Sequence, residues 1–199
     1  MIVIVDYGMG NLRNVRRAVE ACGGECVISS SVDDVVRAGK IILPGVGAFG
    51  EAVKRIDRLG LRDPLLDATT GGKPLLGICL GMQLLFDGSE ESPGVAGFGI
   101  IPGAIVKFDA RVKVPHIGWN DVTPTGTSPL FPDAGGIFYF VHSYHLPSSP
   151  FAVATTEYGT KWVSAVAREN VCGVQFHPEK SQEAGMGVLR GFLGMRDQK

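Results

Sequence analysis

The first half of the chain alternates short apolar runs with segments of helical periodicity, and this alternation limits the possible folds most strongly. The run Ile-Val-Ile-Val at residues 2–5 contains no polar residue, as expected of a strand buried on both faces. After Gly8-Met9-Gly10, apolar residues at 12, 15, 19 and 22 follow a helical spacing, which Gly23-Gly24 ends. Because parallel strands need crossover connections, the pattern predicts an α/β fold, a three-layer sandwich with a mostly parallel central sheet flanked by helices.

The other predicted elements follow from similar patterns. In the first half, strands are predicted at 26–28, 40–43 and 74–78, helical patterns cover about 49–70, and Ser31 with Asp34 forms a capping box that begins a short helix. After about residue 100, shorter apolar runs separated by Pro and Gly predict strands at 105–108, 137–141, 151–156, 162–168 and 171–176. Glu169-Asn170 is typical of a tight hairpin, and residues 182–195 resume a helical pattern. We therefore expect a single domain over 1–199 with antiparallel additions in its C-terminal half.

Composition excludes several classes of protein. Lys and Arg number 19 against 20 Asp and Glu, so no bulk positive field favours nucleic acid or anionic lipid. The start of the chain lacks the basic and cleavage features of a secretory leader, and no apolar run approaches membrane-spanning length. The four cysteines form no close C-x-x-C pair, and a chain of 199 residues needs no disulfide, so we expect four reduced thiols. These features predict a cytoplasmic protein with neither a nucleic-acid nor a membrane partner.

The clearest chemical signal lies where the predicted strand at 74–78 meets Cys79. Gly77-Ile78-Cys79-Leu80-Gly81 matches the nucleophile elbow G-x-S-x-G, with cysteine in place of serine. The glycines permit a tight turn that presents the thiol at the carboxyl end of the sheet, where a following helix would point its amides and positive dipole at the sulfur. A buried structural thiol is the common role of a cysteine, but the strand-turn-helix context predicts that Cys79 is a nucleophile.

A nucleophilic thiol needs a base, and His177 is the strongest candidate among four histidines. It directly follows a predicted strand in the segment His177-Pro178-Glu179. Residues two apart on extended backbone share a face, so Glu179 can orient the imidazole and stabilise its charged form. Alone, this tripeptide would more often be a polar turn at a strand end. Together with the elbow, it predicts a Cys-His-Glu triad.

Two further features suit the chemistry of a carboxamide. Acyl transfer needs donors for the developing oxyanion, and one normally comes from the amide after the nucleophile, here Leu80. A second is expected from the Pro44-Gly45-Val46-Gly47 loop, although an ordinary strand-to-helix turn has the same pattern. Gln83 lies one helical turn beyond Cys79, where its amide can hold the polar end of a substrate, although by itself such a glutamine is more often an ordinary surface group.

Patterns for cofactors and metals are weak. Gly8-Met9-Gly10 follows a strand as in a dinucleotide fingerprint, but Arg13 occupies the position of the third glycine, and no Walker-type lysine motif occurs. His142 and His145 would face opposite sides of an extended segment, with no carboxylate or cysteine to complete a metal-ligand set. We therefore expect neither a cofactor nor a bound metal.

With these segments in hand, the chain resembles the triad-type, or class I, glutamine amidotransferases over essentially its whole length. Residues 77–83 and 175–181 carry the pattern of that superfamily. The resemblance implies a flavodoxin-like sandwich and a glutaminase that converts glutamine to glutamate and ammonia through a cysteine thioester. Cys79, His177 and Glu179 would be its catalytic triad.

Four other segments resemble one branch of the family, the glutaminase subunits of imidazole glycerol phosphate synthases. These segments are 6–12, 44–50, 115–120 and 139–144. The resemblance implies a heterodimer with a (β/α)8-barrel cyclase subunit, which would use the ammonia to make imidazole glycerol phosphate and aminoimidazole carboxamide ribonucleotide in histidine biosynthesis. Ile117 stands where the branch leads us to expect methionine, a conservative apolar change that affects no catalytic step.

The resemblance also implies roles for residues outside the triad. The loop residues Val46 and Gly47 would complete the oxyanion site with Leu80 after a rearrangement. The glutamine pocket would be lined by Gln83, His142, Ser143 and Tyr144. The docking face for the cyclase would include Asn11, Asn14, Trp119, Tyr139 and Lys180.

Three alternatives stay open at this point. The chain could supply ammonia to another synthase, such as one that makes anthranilate or guanylate, although the 115–120 and 139–144 segments argue against this. A cysteine peptidase or other hydrolase could use the same sheet. A non-catalytic docking or regulatory subunit could retain the fold, which an intact triad disfavours.

Overall fold

A computed structural model describes residues 1–131 and 135–196 of the chain. The strands are β1 (Ile2–Val5), β2 (Cys26–Ser29), β3 (Lys40–Gly45), β4 (Leu75–Cys79), β5 (Gly88–Ser89), β6 (Ala104–Lys107), β7 (His116–Pro124), β8 (Gly136–His142), β9 (Tyr144–His145), β10 (Ala152–Tyr158), β11 (Thr160–Arg168) and β12 (Val171–Val174). The helices are α1 (Leu12–Ala21), α2 (Val32–Arg37), α3 (Phe49–Arg58), α4 (Arg62–Thr70), α5 (Leu80–Gln83) and α6 (Gln182–Gly194), and a short 3-10 helix spans Pro178–Lys180. The elements predicted in the first half are present within a few residues.

The central sheet changes from parallel to antiparallel along its width. Its nine strands have the order β2-β1-β3-β4-β12-β11-β10-β7-β8. The five strands from β2 to β12 pair in parallel, and the four remaining pairings are antiparallel. A smaller sheet joins β5, β6 and β9. The predicted α/β class and the antiparallel C-terminal half are therefore confirmed, including the hairpin at Glu169-Asn170 that joins β11 and β12.

Helices cover both faces of the parallel strands because alternate strand residues point to opposite faces. Val3 belongs to one buried cluster with Ile56 of α3, whereas Ile4 belongs to another with Val19 of α1 and Leu189 of α6. Each of these five side chains is fully buried. Burying a side chain of this size contributes about 1.5–3 kcal/mol, so the uninterrupted apolar strands stabilise the sandwich from both sides.

The long strand β7 is an element that sequence periodicity did not predict. Its inward-facing positions include His116, Gly118 and Asn120, which do not form an apolar run. Gly118 has a φ of +135°, a conformation that favours glycine. The strand forms because β8 pairs with it along seven residues, from His116 opposite His142 to Val122 opposite Gly136. A pairing partner, and not local pattern, determines this element.

The helices in the described residues are all too short or too polar to span a membrane.

Candidate active site

Cys79 lies at the sharp turn between β4 and α5. Its φ of 55° and ψ of −110° are unusual for a residue with a side chain, and such backbone strain costs about 1–3 kcal/mol. Gly77 and Gly81 make the turn possible by close approach. A Cβ on Gly77 would lie 2.6 Å from the carbonyl oxygen of Gly81, and a Cβ on Gly81 would lie 1.7 Å from that of Leu43. The structure therefore shows the steric requirement that the elbow pattern predicts.

The helix after the elbow is short. Leu80–Gln83 is a single turn, after which the amides of Leu85 and Phe86 bond to carbonyls three residues back. Because peptide dipoles add only along a continuous helix, one turn gives the sulfur a weaker field than a long helix would. The amide of Leu80 remains next to Cys79, and the first amides of a helix have no acceptor within it. The predicted helix follows Cys79 directly, and the amide of Leu80 stays the candidate oxyanion donor.

His177 and Glu179 form a buried pair beside the elbow. Nδ1 of His177 lies 2.8 Å from Oε1 of Glu179, and both side chains are only 2% exposed. Pro178 between them begins the 3-10 helix that turns the carboxylate back towards the ring. Since a carboxylate only accepts hydrogen bonds, Nδ1 carries a proton and Nε2 is the atom available for chemistry. In the described part of the chain, Nε2 has no hydrogen-bond partner.

Adjacent parallel strands bring this pair to Cys79. Val174 of β12 is in register with Ile78 of β4, so the residues after both strands meet at the carboxyl edge of the sheet. Burial lowers the pKa of His177, but the neighbouring charges of Cys79 and Glu179 outweigh it and raise the pKa to about 10. The structure therefore brings together the three residues predicted as a triad, with an imidazole that holds its proton at neutral pH.

A cavity of about 440 Å³ opens beside the sulfur. It is lined by Val46, Gly47, Cys79, Leu80, Gln83, Glu91, Pro115, Val141, His142, Ser143 and Tyr144. The predicted oxyanion and pocket residues all belong to this lining. The volume and the mixture of polar and apolar walls suit a small amino-acid ligand.

The glycine loop lies directly across from the nucleophile. Gly45 pairs with Cys79 between β3 and β4, which places Val46 and Gly47 at the mouth of the cavity. Gly47 has a φ of +101°, and a Cβ there would lie 2.7 Å from the methyl carbon of Met9. The loop thus packs against the turn that follows β1.

Gln83 is a buried pocket residue, only 5% exposed, which excludes the surface role left open above. Its Nε2 donates to Oε1 of Gln175 at 2.9 Å and to the main-chain oxygen of Tyr144 at 3.3 Å. Both amide protons are thus used inside the protein. The carbonyl oxygen of Gln83 is the atom left to meet a ligand, which refines the expectation that its whole amide would.

The histidines other than His177 form part of an aromatic cluster. His142 and His145 both pack against Phe108, with ring centroids 5.2 and 4.2 Å away, so the expectation that they face opposite sides is wrong. The backbone leaves β8 at His142 and enters β9 at Tyr144, which reorients the second ring. Burial lowers the pKa of His142 to about 3 and that of His116 to about 4. Both imidazoles are therefore neutral at physiological pH.

Two polar residues of the site were not identified from sequence. Glu91 lines the cavity and accepts a hydrogen bond of 2.7 Å from the amide of Phe49, but it lies in a loop with no recognisable motif. Gln175 is fully buried, and its Nε2 lies 3.6 Å from the sulfur of Cys79. Its position two residues before His177 was a usable signal, because residues two apart on an extended segment share a face.

The residues predicted for docking lie close to this site. Trp119 is 50% exposed and packs edge-on against Tyr139, with ring centroids 6.0 Å apart. The ammonium of Lys180 lies 5.2 Å from the centre of the Tyr139 ring. Helix α1, which carries Asn14 and begins directly after Asn11, packs beside the 3-10 helix that contains Lys180. We call the outward face of the β7–β8 hairpin, with Ile117, Trp119, Ile137 and Tyr139, the hairpin face.

Within residues 1–131 and 135–196, no group of three or more His, Cys, Asp or Glu side chains is arranged to hold a metal ion.

Known proteins match this chain over nearly its whole length. The family model described as glutamine amidotransferase class-I matches residues 3–194. A protein of Thermococcus kodakarensis called imidazole glycerol phosphate synthase subunit HisH is 50% identical, with 96% of this chain and 98% of the relative covered. The protein of the same name from Methanothermobacter thermautotrophicus is 46% identical, with 97% and 98% covered.

Solved structures share the fold at lower identity. A crystal structure titled as a glutamine amidotransferase has a TM-score of 0.78 and 19% identity, and 97% of each chain is covered. A putative GMP synthase protein from Thermoplasma acidophilum has a TM-score of 0.71 and 21% identity, with 97% of this chain and 92% of that chain covered. These similarities establish a common architecture.

Proposed function

The chain belongs to the class-I glutamine amidotransferase family, and on that premise we propose that it is the glutaminase subunit of an imidazole glycerol phosphate synthase, acting in histidine biosynthesis. The family match and the names of the relatives confirm the predicted enzyme class. The observation that carries the mechanism is the buried cluster of Cys79, His177 and Glu179 beside a cavity of amino-acid size.

The proposed reaction proceeds through a thioester. The Cys79 thiolate attacks the carboxamide carbon of glutamine, and His177 gives its proton to the departing ammonia. The neutral imidazole then accepts a proton from water, whose oxygen attacks the thioester and releases glutamate. Glu179 keeps the proton on Nδ1 and stabilises the imidazolium, so Nε2 faces the reacting atoms in both steps.

The cavity supplies recognition and charge stabilisation. The amide of Leu80 is the proposed first oxyanion donor, and an amide of the Val46-Gly47 loop joins it after the loop rearranges. The Glu91 carboxylate and the carbonyl of Gln83 suit the α-ammonium group of glutamine. His142, Ser143 and Tyr144 also line the pocket, and we propose that they contact the bound glutamine.

The chemistry gives a reason for a partner subunit. Free ammonia is mostly protonated at neutral pH and is then no nucleophile, so its release should be coupled to an enclosed route. The relatives are subunits of a synthase, and we propose a heterodimer with a (β/α)8-barrel cyclase. The hairpin face, with Lys180, Asn11 and Asn14 beside it, is the proposed docking face. Exposed apolar residues there, such as Ile117 and Trp119, at 59% and 50%, support this choice.

The alternatives carry less support. A glutaminase for a different synthase shares the triad, but the relatives at 46–50% identity carry the name of this synthase. A non-catalytic docking protein would have no need of a strained cysteine beside a buried imidazole-carboxylate pair. We therefore retain the catalytic assignment.

Substitution of Cys79 tests whether this chain releases the ammonia and the cyclase subunit uses it. With Cys79→Ala and the cyclase subunit present, we expect glutamine-dependent synthesis of imidazole glycerol phosphate to fall to background, because no thioester can form. Synthesis from added ammonium salt should persist at the wild-type rate. Cys172→Ala, which alters a buried thiol in β12, serves as the control and should retain both activities. Loss of both the glutamine-dependent and the ammonia-dependent synthesis in the Cys79 variant would refute the proposal that the two subunits carry out separate reactions.

A further inference from the structure

A continuous row of hydrogen bonds connects strand β7 with the sulfur of Cys79. In order it passes through the side chains of Asn120, His116 and His142, the main-chain oxygen of Tyr144, and the side chains of Gln83 and Gln175. Successive donor-acceptor distances from Asn120 to the sulfur are 3.3, 3.1, 2.8, 3.3, 2.9 and 3.6 Å. We call these groups the Asn120–Gln175 network.

The main-chain oxygen of Tyr144 determines the proton positions on one side of the network. A carbonyl only accepts, so Nδ1 of His142 carries the proton that it donates there. Because burial lowers the pKa of His142 to about 3, its Nε2 is an unprotonated acceptor at neutral pH. Nδ1 of His116, 3.1 Å away, is therefore the donor to that atom. The two rings have defined tautomers.

Asn120 forms the end of the network on the β7 side, where its amide nitrogen donates to the ring of His116. Its Nδ2 donates to the carbonyl of Glu157 at 2.9 Å, and its Oδ1 accepts from the amide of Asp121 at 2.8 Å, so its orientation is fixed by main-chain groups. The second proton on Nδ2 then faces Nε2 of His116, which is the unprotonated nitrogen of that ring. Each proton in this half of the network thus has one acceptor.

The main-chain carbonyl of Tyr144 also orients the glutamine side chains between it and Cys79. Gln83 must direct its nitrogen at the oxygen of Tyr144, and the second proton of that nitrogen meets Oε1 of Gln175. Gln175 is thereby forced to present its Nε2 to the sulfur of Cys79. The main-chain carbonyl of Tyr144 therefore fixes the orientation of Gln83, and Gln83 fixes the orientation in which Gln175 donates to the sulfur.

We propose that Gln175 donates a hydrogen bond that stabilises the Cys79 thiolate, and that the Asn120–Gln175 network holds this donor in place. Gln175 contacts the reacting sulfur, whereas His116 and Asn120 are positioning residues. They act by holding His142, which in turn donates to the main-chain oxygen of Tyr144 that orients Gln83. The inference rests on the proposed function in taking Cys79 as the nucleophile. It also links the site to the hairpin face, since Asn120 directly follows the exposed Trp119.

Alkylation of Cys79 by iodoacetamide tests the proposal without any turnover of glutamine. The rate is followed for the Cys79 peptide by mass spectrometry, because three other cysteines are present. Gln175→Met keeps the length of the side chain and removes the donor. His116→Phe keeps the stacking against Tyr158, at 4.1 Å between ring centroids, and removes both hydrogen bonds.

His145→Phe is the matched control. His145 stacks on Phe108 in the same aromatic cluster and is similarly buried, but it is not a member of the network. His116→Asn is the rescue variant, because its side-chain nitrogen can donate from nearly the position of Nδ1.

The alkylation rate of Cys79 is measured over a pH series. We expect the midpoint of its rise with pH to lie about one pH unit higher in Gln175→Met, since loss of a hydrogen bond to a charged group shifts a titration by about that much. The midpoint should lie about half a unit higher in His116→Phe, whereas His116→Asn and His145→Phe should match the wild type. A wild-type midpoint in Gln175→Met overturns the role of Gln175. Equal midpoints in His116→Phe and His145→Phe overturn the role of His116.

If a variant fails to fold, nitrogen NMR of the imidazole rings of His116 and His142 in the wild-type protein tests the network. The network requires His116 and His142 to be neutral at pH 6, each with its proton on Nδ1. A protonated Nε2 on either ring contradicts it. Neither measurement uses glutamine, so a chain that passes both but releases no glutamate would refute the proposed function and leave the network standing.

Discussion

At the scale of single residues, the catalytic centre was predictable wherever its signal is local. Cys79 is marked by flanking glycines that the turn requires, and Glu179 by its spacing from His177. Gln175 and Glu91 could not be assigned in the same way. Gln175 reaches the sulfur only because β12 lies beside β4, and Glu91 reaches the cavity through a loop. Local motifs predict which groups react, whereas tertiary pairing determines which groups orient them.

The carboxylate of Glu179 should set the pH range of activity. Because it helps to raise the pKa of His177 to about 10, the imidazolium persists through neutral pH and is lost only as the pH rises towards that value. In Glu179→Gln we expect the alkaline limb of the pH-rate profile to move to lower pH and the glutaminase rate at pH 8 to fall about 10²-fold or more. Steady-state assays of the complex across pH 6–10 measure both effects.

Glu183→Gln is the control for that variant. Glu183 is an exposed carboxylate, paired with Arg190 at 2.6 Å at the start of α6, and its loss should leave the pH-rate profile unchanged. An unchanged alkaline limb in Glu179→Gln would show that the carboxylate does not govern His177.

At the scale of elements, periodicity predicted the parallel strands and their helices but not β7 or the length of α5. The parallel strands are apolar on both faces, so their pattern is visible without neighbours. β7 carries polar residues on both faces and exists through its pairing with β8. α5 ends after one turn, where the amides of Leu85 and Phe86 bond to carbonyls three residues back instead of four. No Gly or Pro marks this change in the sequence.

The elbow should be intolerant of a single methyl group. In Gly81→Ala the new Cβ would lie 1.7 Å from the main-chain oxygen of Leu43, so the free energy of unfolding should fall by about 3 kcal/mol or more. Urea denaturation followed by circular dichroism measures the change.

Gly187→Ala is the control in the same assay, and we expect it to raise the free energy of unfolding. Gly187 lies within α6 with open space around the position of a Cβ, so alanine should raise the free energy of unfolding by about 0.5–1 kcal/mol. Equal stabilities of the two variants would contradict the close approach on which the elbow depends.

At the scale of the whole molecule, reactive and docking features share the carboxyl edge of the parallel strands. The cavity, the glycine loop and the hairpin face lie together, and the loop rests on Met9 in the turn before α1. Parallel topology predicted that Cys79 and the glycine loop lie at one edge, since strand ends meet there, whereas the docking residues were implied only by the family resemblance. The sequence did not predict the hydrogen-bond path from Asn120 to Cys79, because that path depends on the β7–β8 register.

Glutamate release shows whether the Cys79-based glutaminase works for a partner subunit. The isolated chain, the chain with a (β/α)8-barrel cyclase, and that complex with its nucleotide acceptor are compared, with Cys79→Ala as the background. We predict little release from the isolated chain and a rise of at least about ten-fold in the complex with acceptor, a size typical of coupled sites. Rapid glutamate release by the isolated chain, unchanged by partner and acceptor, would contradict the account.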